Sequence, residues 1–284
     1  MAPRVVILVA VVASLALPAG ASAVPVPAMT PPVTVVPSPG LPPDVQVDHS
    51  NANLAVAYYR GRVFMVFRTA KWQIADDNAR LYVVSSVDQV HWRFEGKFAY
   101  GRDLREPRLF VWKKKLFLYF ALLGSNAAAF EPGGEMATRW IAPGKWVKPR
   151  RILPQPDFIA WAVKTHRGNA YVIARRQPNF GGNYDHGLPK TPDTDPEFAL
   201  YDGTYAATTK RCSLWSIDTK TREFTPLFDV PGVGDTCYPE MIRQPHGRFL
   251  VYNYTSPLDG SDPPWGTALT VGDTLIYRMT LQFL

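Results

Sequence analysis

Apolar residues recur along this chain in short runs, some alternating with polar residues and some continuous over three to seven positions. Runs at 54–58, 63–67, 81–85, 109–111, 116–122, 161–163, 170–174, 213–217, 249–254 and 275–279 have the length of strands, and no stretch sustains the 3.6-residue period of a long amphipathic helix. Many are paired across tight turns, as at Tyr59-Arg60-Gly61-Arg62, His166-Arg167-Gly168-Asn169 and Pro245-His246-Gly247-Arg248. Two such runs around a turn of this composition predict a β-hairpin. Lys113-Lys114-Lys115 predicts another, and 213–217 should pair with 224–228 across Asp218-Thr219-Lys220.

The turns fall near residues 61, 114, 168 and 247, and intervals of about 50 residues suit one four-stranded sheet per repeat. The 241 residues from 44 to 284 accommodate five repeats. The expected fold is therefore all-β: a five-bladed β-propeller of four-stranded antiparallel blades. Residues 177–209, rich in Gly, Pro, Asn and Asp, interrupt the pattern and read as a long loop over one face.

The first residues read differently. A short basic start, an apolar stretch of about 13 residues and the small-residue pattern Ala21-Ser22-Ala23 have the form of a secretory signal peptide, 1–23, cleaved after Ala23. The apolar stretch is too short for an ordinary membrane-spanning helix, which needs roughly 20 residues. Residues 24–43 contain eight prolines and no charge, and read as a Pro-rich linker or disordered arm. The organisation expected is signal peptide, linker, and one propeller domain over 44–284, in a protein that is secreted or periplasmic and does not span the membrane.

The full chain carries a net charge of +7, and about +6 remains once the leader is removed. That excess can favour an acidic glycan or a cell envelope. No basic helix or nucleic-acid motif accompanies it, so nucleic acid is not expected as a partner. The two cysteines, Cys212 and Cys237, lie in the expected exported domain, where a disulfide is the default.

The densest chemistry lies in Asp103-Leu104-Arg105-Glu106-Pro107-Arg108, just before an apolar run. Buried charges need partners or a charged ligand. This cluster is either a structural ion network or the floor of a polar pocket. Glycoside hydrolysis uses two carboxylates flanking the bond, or a tyrosine in the sialidase variation. Glu106, Asp103 and Glu240 are the candidate acids and Tyr238 a candidate nucleophile; Tyr238 and Glu240 share a strand face because side chains alternate. Arg68 and Arg105 are suited to hold a carboxylate or sulfate, the alternative being that Arg105 pairs with Glu106 or a neighbouring blade. Arg175 and Arg176 follow a strand and can add a third cation or stand solvated. Sugars stack on aromatic faces, so Trp72, Trp161, Tyr252 and Trp265 can line a site, although a propeller core also consumes aromatics.

The histidines lack the spacing of a metal site, and no cofactor is called for. Asp185-His186 and Asp193-Thr194-Asp195 offer oxygen ligands for calcium, but solvated loop acids are commoner. In Ser86-Val87-Asp88-Gln89-Val90-His91-Trp92 the Ser and Asp side chains are placed to bond turn amides over a packed Trp, a structural role.

That turn is similar to a degenerate Asp-box of the sialidase type. Asn51-Ala52, Val66-Phe67-Arg68, Asp103-Leu104-Arg105-Glu106-Pro107, Ala160-Trp161-Ala162-Val163 with His166-Arg167-Gly168-Asn169-Ala170-Tyr171, and Gly234-Asp235-Thr236-Cys237-Tyr238-Pro239 follow in order. Together they resemble bacterial sialidase-like five-bladed propellers over most of residues 51–254. The resemblance implies a central funnel that binds sugar, with Asn51, Arg68, Arg105 and Tyr238 at matching positions. It departs from the family at Glu106, which replaces an aspartate, at Cys237, which replaces a serine, and at Ala162, where an arginine is usual.

The function expected from these residues is a sialidase-like glycoside hydrolase acting on a glycan or oligosaccharide, with Glu106, Tyr238, Glu240 and Asp103 catalytic and Asn51, Arg68, Arg105 and Trp161 binding substrate. The alternative is a propeller of the same shape that binds carbohydrate or another envelope component without cleaving it.

Overall fold

The computed structural model describes residues 26–124, 133–152, 158–176 and 207–283. Its strands are arranged as five antiparallel sheets, the blades of a propeller. Two short strands come first, β1 (Pro27–Met29) and β2 (Val33–Val36). Blade 1 follows as β3 (Ser50–Tyr59), β4 (Arg62–Ala70), β5 (Arg80–Ser86) and β6 (Arg93–Phe98), paired in chain order. Blade 2 comprises β7 (Leu104–Trp112), β8 (Lys115–Leu122) and β9 (Gly134–Ala142), with β10 (Lys145–Trp146) and β11 (Arg150–Arg151) both on β9. The described part of blade 3 is the hairpin β12 (Phe158–His166) with β13 (Asn169–Arg176), and that of blade 4 is β14 (Cys212–Ile217) with β15 (Phe224–Val230). Blade 5 is β16 (Glu240–Arg243), β17 (Arg248–Thr255) and β18 (Leu275–Phe283). A short helix, α1 (Trp265–Val271), precedes β18.

Each expected hairpin forms, because two-residue turns such as Arg60-Gly61 let the chain reverse with left-handed backbone at both positions. The stretch read as a linker is used differently. β1 and β2 pair with the outer strand β18, so the N-terminal segment completes blade 5. Proline suits such an edge, where a missing N–H breaks no inner ladder. Val35 and Val36 are buried and join the core between blades 1 and 5.

The ring is held by apolar seams. One joins Leu54, Met65 and Phe67 of blade 1 to Ile242, Leu250 and Tyr252 of blade 5. A second joins Phe64, Val66 and Leu81 to Leu109, Leu118 and Trp140 of blade 2. A third joins Cys212 and Val230 of blade 4 to Val251 and Tyr277 of blade 5. Where β6 meets blade 2, a Cβ on Gly96 would lie 2.5 Å from the Trp146 indole nitrogen, so this close approach requires glycine.

The Asp-box-like turn is structural in detail. Ser86 Oγ accepts the amides of Asp88 and Gln89, and Asp88 Oδ1 accepts those of Val90 and His91. Trp92 is buried and donates its amide to Gly40 O, tying the turn to the N-terminal segment.

Candidate functional site

The inner strands β3, β7 and β12 each carry one extra residue relative to their hairpin partner, and each such bulge bends the strand and re-aims its side chains. In β7, Arg105 pairs with Ala121 and Arg108 with Tyr119, so Glu106 and Pro107 together face one partner position. Glu106 has φ of 50°, a left-handed conformation unusual for its type. This distortion divides the charge cluster into two groups of different character.

The inner group is an ion network. Asp103 is fully buried and lies between two arginines, accepting Arg68 Nε at 2.8 Å and Arg105 Nε at 2.5 Å. Arg68 is equally buried, and its remaining nitrogens donate to Trp72 O at 3.0 Å and Ile74 O at 3.1 Å. Arg105 also donates to Gln73 O. Both arginines therefore direct donors at protein groups.

The outer group is reached by solvent. Arg108, Glu106 and Glu240 have side chains 15%, 19% and 29% exposed, enough to meet a ligand. The Arg108 fork extends Nη2 to Glu106 at 3.6 Å and Nη1 to Glu240 at 3.5 Å, while its Nε donates to Trp161 O at 2.5 Å. The same guanidinium stacks 4.6 Å from the centre of the Tyr238 ring. Tyr238 donates its hydroxyl to Glu106, 132 residues away in the chain. Tyr238 is fixed from behind: its amide donates to Asn253 Oδ1 at 2.8 Å, and Cys237 beside it is disulfide-bonded to Cys212 of β14, with Cα atoms 5.0 Å apart.

Burial, reinforced by the negative charge of Glu106, pushes the Tyr238 phenol well above its ordinary value. It stays protonated at neutral pH and acts as a donor to Glu106. The carboxylate it meets is thus the one across the ring rather than Glu240 two positions along. Burial also raises Glu240, against the opposing pull of Arg108.

Two buried acids support this cluster. Glu135 of β9 accepts the amide of Ala160 at 3.1 Å, and its other oxygen has no partner among the described residues. Burial, with the Glu106 charge adding to it, raises Glu135 to about 8. Asp235 accepts the Tyr254 hydroxyl at 3.2 Å and the Trp265 indole N–H at 3.0 Å, and burial raises it to about 6.

Glu106, Tyr238 and Glu240 are thus brought together, and the backbone of Trp161 joins them through Arg108; Trp161 as a residue is 49% exposed. Asp103, Arg68 and Arg105 form the network beneath. Asn51 has another role: its amide nitrogen donates to Asp48 O and Thr274 O, locking β3 to the approach of β18. Tyr252 is core, Trp265 serves Asp235, and Trp72 is exposed beside Lys71. Arg175 and Arg176 end β13. The calcium-ligand candidates Asp185, His186, Asp193 and Asp195, and the leader 1–23, lie outside the described residues. Among the described residues no group of three or more His, Cys, Asp or Glu side chains is placed to hold a metal, and no helix is long and apolar enough to cross a membrane.

Arg108 and Glu135 were not singled out as site residues by pattern. Arg108 stood in the cluster, but only the bulge reveals that it faces away from Asp103. Glu135 had one cue, the Gly133-Gly134 step just before it.

No family model matches the chain, and no curated protein matches it. Among solved structures it is similar to an α-L-arabinofuranosidase of Podospora anserina in complex with cellotriose, with 10% identity, covering 91% of this chain and 97% of that one, at a TM-score of 0.47. It is similar to the catalytic domain of a GH62 α-L-arabinofuranosidase of Coprinopsis cinerea, with 12% identity, 90% and 97% covered, and a TM-score of 0.46. A family 117 glycoside hydrolase of the marine bacterium Zobellia galactanivorans is similar at 11% identity, 82% and 84% covered, and a TM-score of 0.43.

Proposed function

We propose that this chain is an exported glycoside hydrolase acting on a neutral glycan, with Glu106 and Glu240 as its two working carboxylates. One observation carries the proposal: acids from blades 2 and 5 meet at the two ends of the Arg108 fork, both open to solvent. Oxygens bridged by one guanidinium are no further apart than about 9 Å, which does not exceed the upper limit of two-carboxylate glycoside chemistry.

The roles follow from the surroundings. Burial favours the protonated form of Glu240, which suits it to protonate the leaving-group oxygen. Glu106 receives the Tyr238 hydrogen bond and approaches Arg108, contacts that orient its carboxylate as nucleophile or base. Tyr238 and Arg108 position it. Asp103 is enclosed and neutralised by Arg68 and Arg105, so its role is to hold those strands together.

Sialic acid would require arginines free to clasp its carboxylate. Arg68 and Arg105 commit donors to Asp103 and to backbone carbonyls, which favours a substrate without that charge. The second reading, carbohydrate binding without cleavage, is favoured by one feature: each of the two partly exposed acids already faces Arg108. Against it, Arg108 is shared by both, Lys164 acts on Glu240 alone, and Glu135 is a third acid nearby.

Turnover of a panel of aryl pentosides, hexosides and sialosides tests the proposal. Activity on a neutral glycoside, reduced at least 100-fold in Glu106→Gln and Glu240→Gln with folding intact, is expected. A wild type inactive across the panel that still binds oligosaccharide would favour the binding module.

A further inference from the structure

Among the described residues, ten that are not glycine have left-handed backbone. Seven are turn residues: Arg60, Gln89, Lys113, Lys114, Arg167, Arg222 and His246. The other three are Asn53, Glu106 and Cys237, with φ of 43°, 50° and 91°, and none of them reverses a hairpin. L-residues occupy this region at a steric cost, so it persists where the surroundings impose it, and such positions concentrate at functional sites. Two of the three already serve the cluster: Glu106 belongs to it, and Cys237 delivers Tyr238.

Asn53 occupies in blade 1 the position that Glu106 occupies in blade 2. In β3, Ala52 pairs with Arg68 and Ala55 with Val66; in β7, Arg105 pairs with Ala121 and Arg108 with Tyr119. Each bulge therefore begins one residue after a regular pair, and Asn53 and Glu106 are its first residues. Each also stands six residues before the last pair of its hairpin, Tyr59 with Arg62 and Trp112 with Lys115. β3 and β7 are packed against one another, so the two bulges are neighbours on the inner ring.

The side chains of Asn51 and Asn53 both hold a buried Oδ1 without a hydrogen-bond partner among the described residues, but only that of Asn51 is given a structural task by its amide nitrogen. Asn51 ties two segments together through its amide nitrogen. Asn53 is 6% exposed, and its Oδ1 is buried and accepts no hydrogen bond among the described residues. A buried amide oxygen without a partner is costly and calls for an explanation. A sugar hydroxyl, which both donates and accepts, matches a primary amide.

We infer that Asn53 is a specificity-determining residue, presenting its amide beside Glu106 to read a hydroxyl of the bound sugar. This rests on the neutral-glycan function proposed above. Asparagine adds the contact without a second negative charge at Glu106, as aspartate would. A merely structural asparagine, retained because it tolerates left-handed backbone, would be replaced by glycine without loss of ligand.

The experiment measures binding of neutral xylo-, arabino-, galacto- and gluco-oligosaccharides by calorimetry in the Glu106→Gln protein, with and without Asn53→Gly, together with thermal melting. Glycine relieves the backbone, so an unchanged or higher melting temperature with at least tenfold weaker binding is expected. Asn53→Asp keeps the size and the left-handed tolerance and should also weaken binding at least tenfold, which preserves the test if the glycine variant folds poorly. Equal affinity in these variants overturns the role of Asn53 and leaves the site proposal standing. No binding by the Glu106→Gln parent, with no turnover by wild type, overturns both.

Discussion

Replacing Asp103 by alanine should unfold this protein well below its normal melting temperature, for a reason unrelated to catalysis. Asp103 and Arg68 are both wholly excluded from solvent, and among the described residues Arg68 meets no other carboxylate within hydrogen-bond range. Removing one partner of a buried ion pair leaves the other charge uncompensated, which costs about 3–5 kcal/mol. For a domain of this size, each kcal/mol moves the midpoint by roughly 2–4 °C, so a fall of about 10 °C is expected. Scanning calorimetry of Asp103→Ala against wild type measures it. The double replacement Arg68→Met with Asp103→Leu supplies the control, because it removes the stranded Arg68 charge and leaves only Arg105 without Asp103, so it should recover part of the loss. A single variant within 2 °C of wild type would refute the network. So would a double variant less stable than wild type by the full sum of two independent losses.

Glu135 should make stability depend on pH. Its folded value, about 8, lies above the ordinary 4.5, so between these limits the folded state holds a proton that the unfolded chain has released. Its contribution to stability is then greatest below about pH 4.5 and falls by up to about 1.4 kcal/mol per pH unit until about pH 8; Glu135→Gln should flatten this part of the pH dependence in urea titrations. An unchanged slope would contradict the assigned burial. Converting Cys212 and Cys237 to serine opens a link across 25 residues and should cost about 3 kcal/mol, read as a lower urea midpoint. Deleting the chain through Val36 strips β1 and β2 from β18 and removes the buried side chains of Val35 and Val36; at about 1.5–3 kcal/mol of lost burial per valine, the melting temperature should fall by roughly 10 °C. A truncated protein as stable as the full chain would show that blade 5 closes without them.

Local periodicity carries much of the fold. The hairpins at 59–62, 112–115 and 166–169 were legible because each turn type and its flanking strands lie within one short window. The role of residues 26–43 was not, since proline content distinguishes an edge strand from a linker only when the edge it joins, 240 residues on, is known. The site divides in the same way. Candidate acids stood out by type, yet the burial of Asp103 and the exposure of Glu106, three residues later, depend on the bulge at Arg105–Arg108. Arg68 looked free to bind a ligand because the carbonyls that saturate it, at Trp72 and Ile74, are backbone groups with no sequence signature. The Tyr238–Glu106 contact joins distant blades.

Chemical rescue addresses the two-carboxylate site most directly. With Glu106 shortened to alanine, turnover of an activated aryl glycoside should fall by several orders of magnitude and be restored in part by sodium azide, with a glycosyl azide as product. Azide would then occupy the space of the lost carboxylate and attack the anomeric carbon in its place. Undiminished activity in the alanine variant, or an active wild type whose Glu106→Ala and Glu240→Ala variants both resist rescue and form no azide adduct, would contradict the assignment of the chemistry to these two acids.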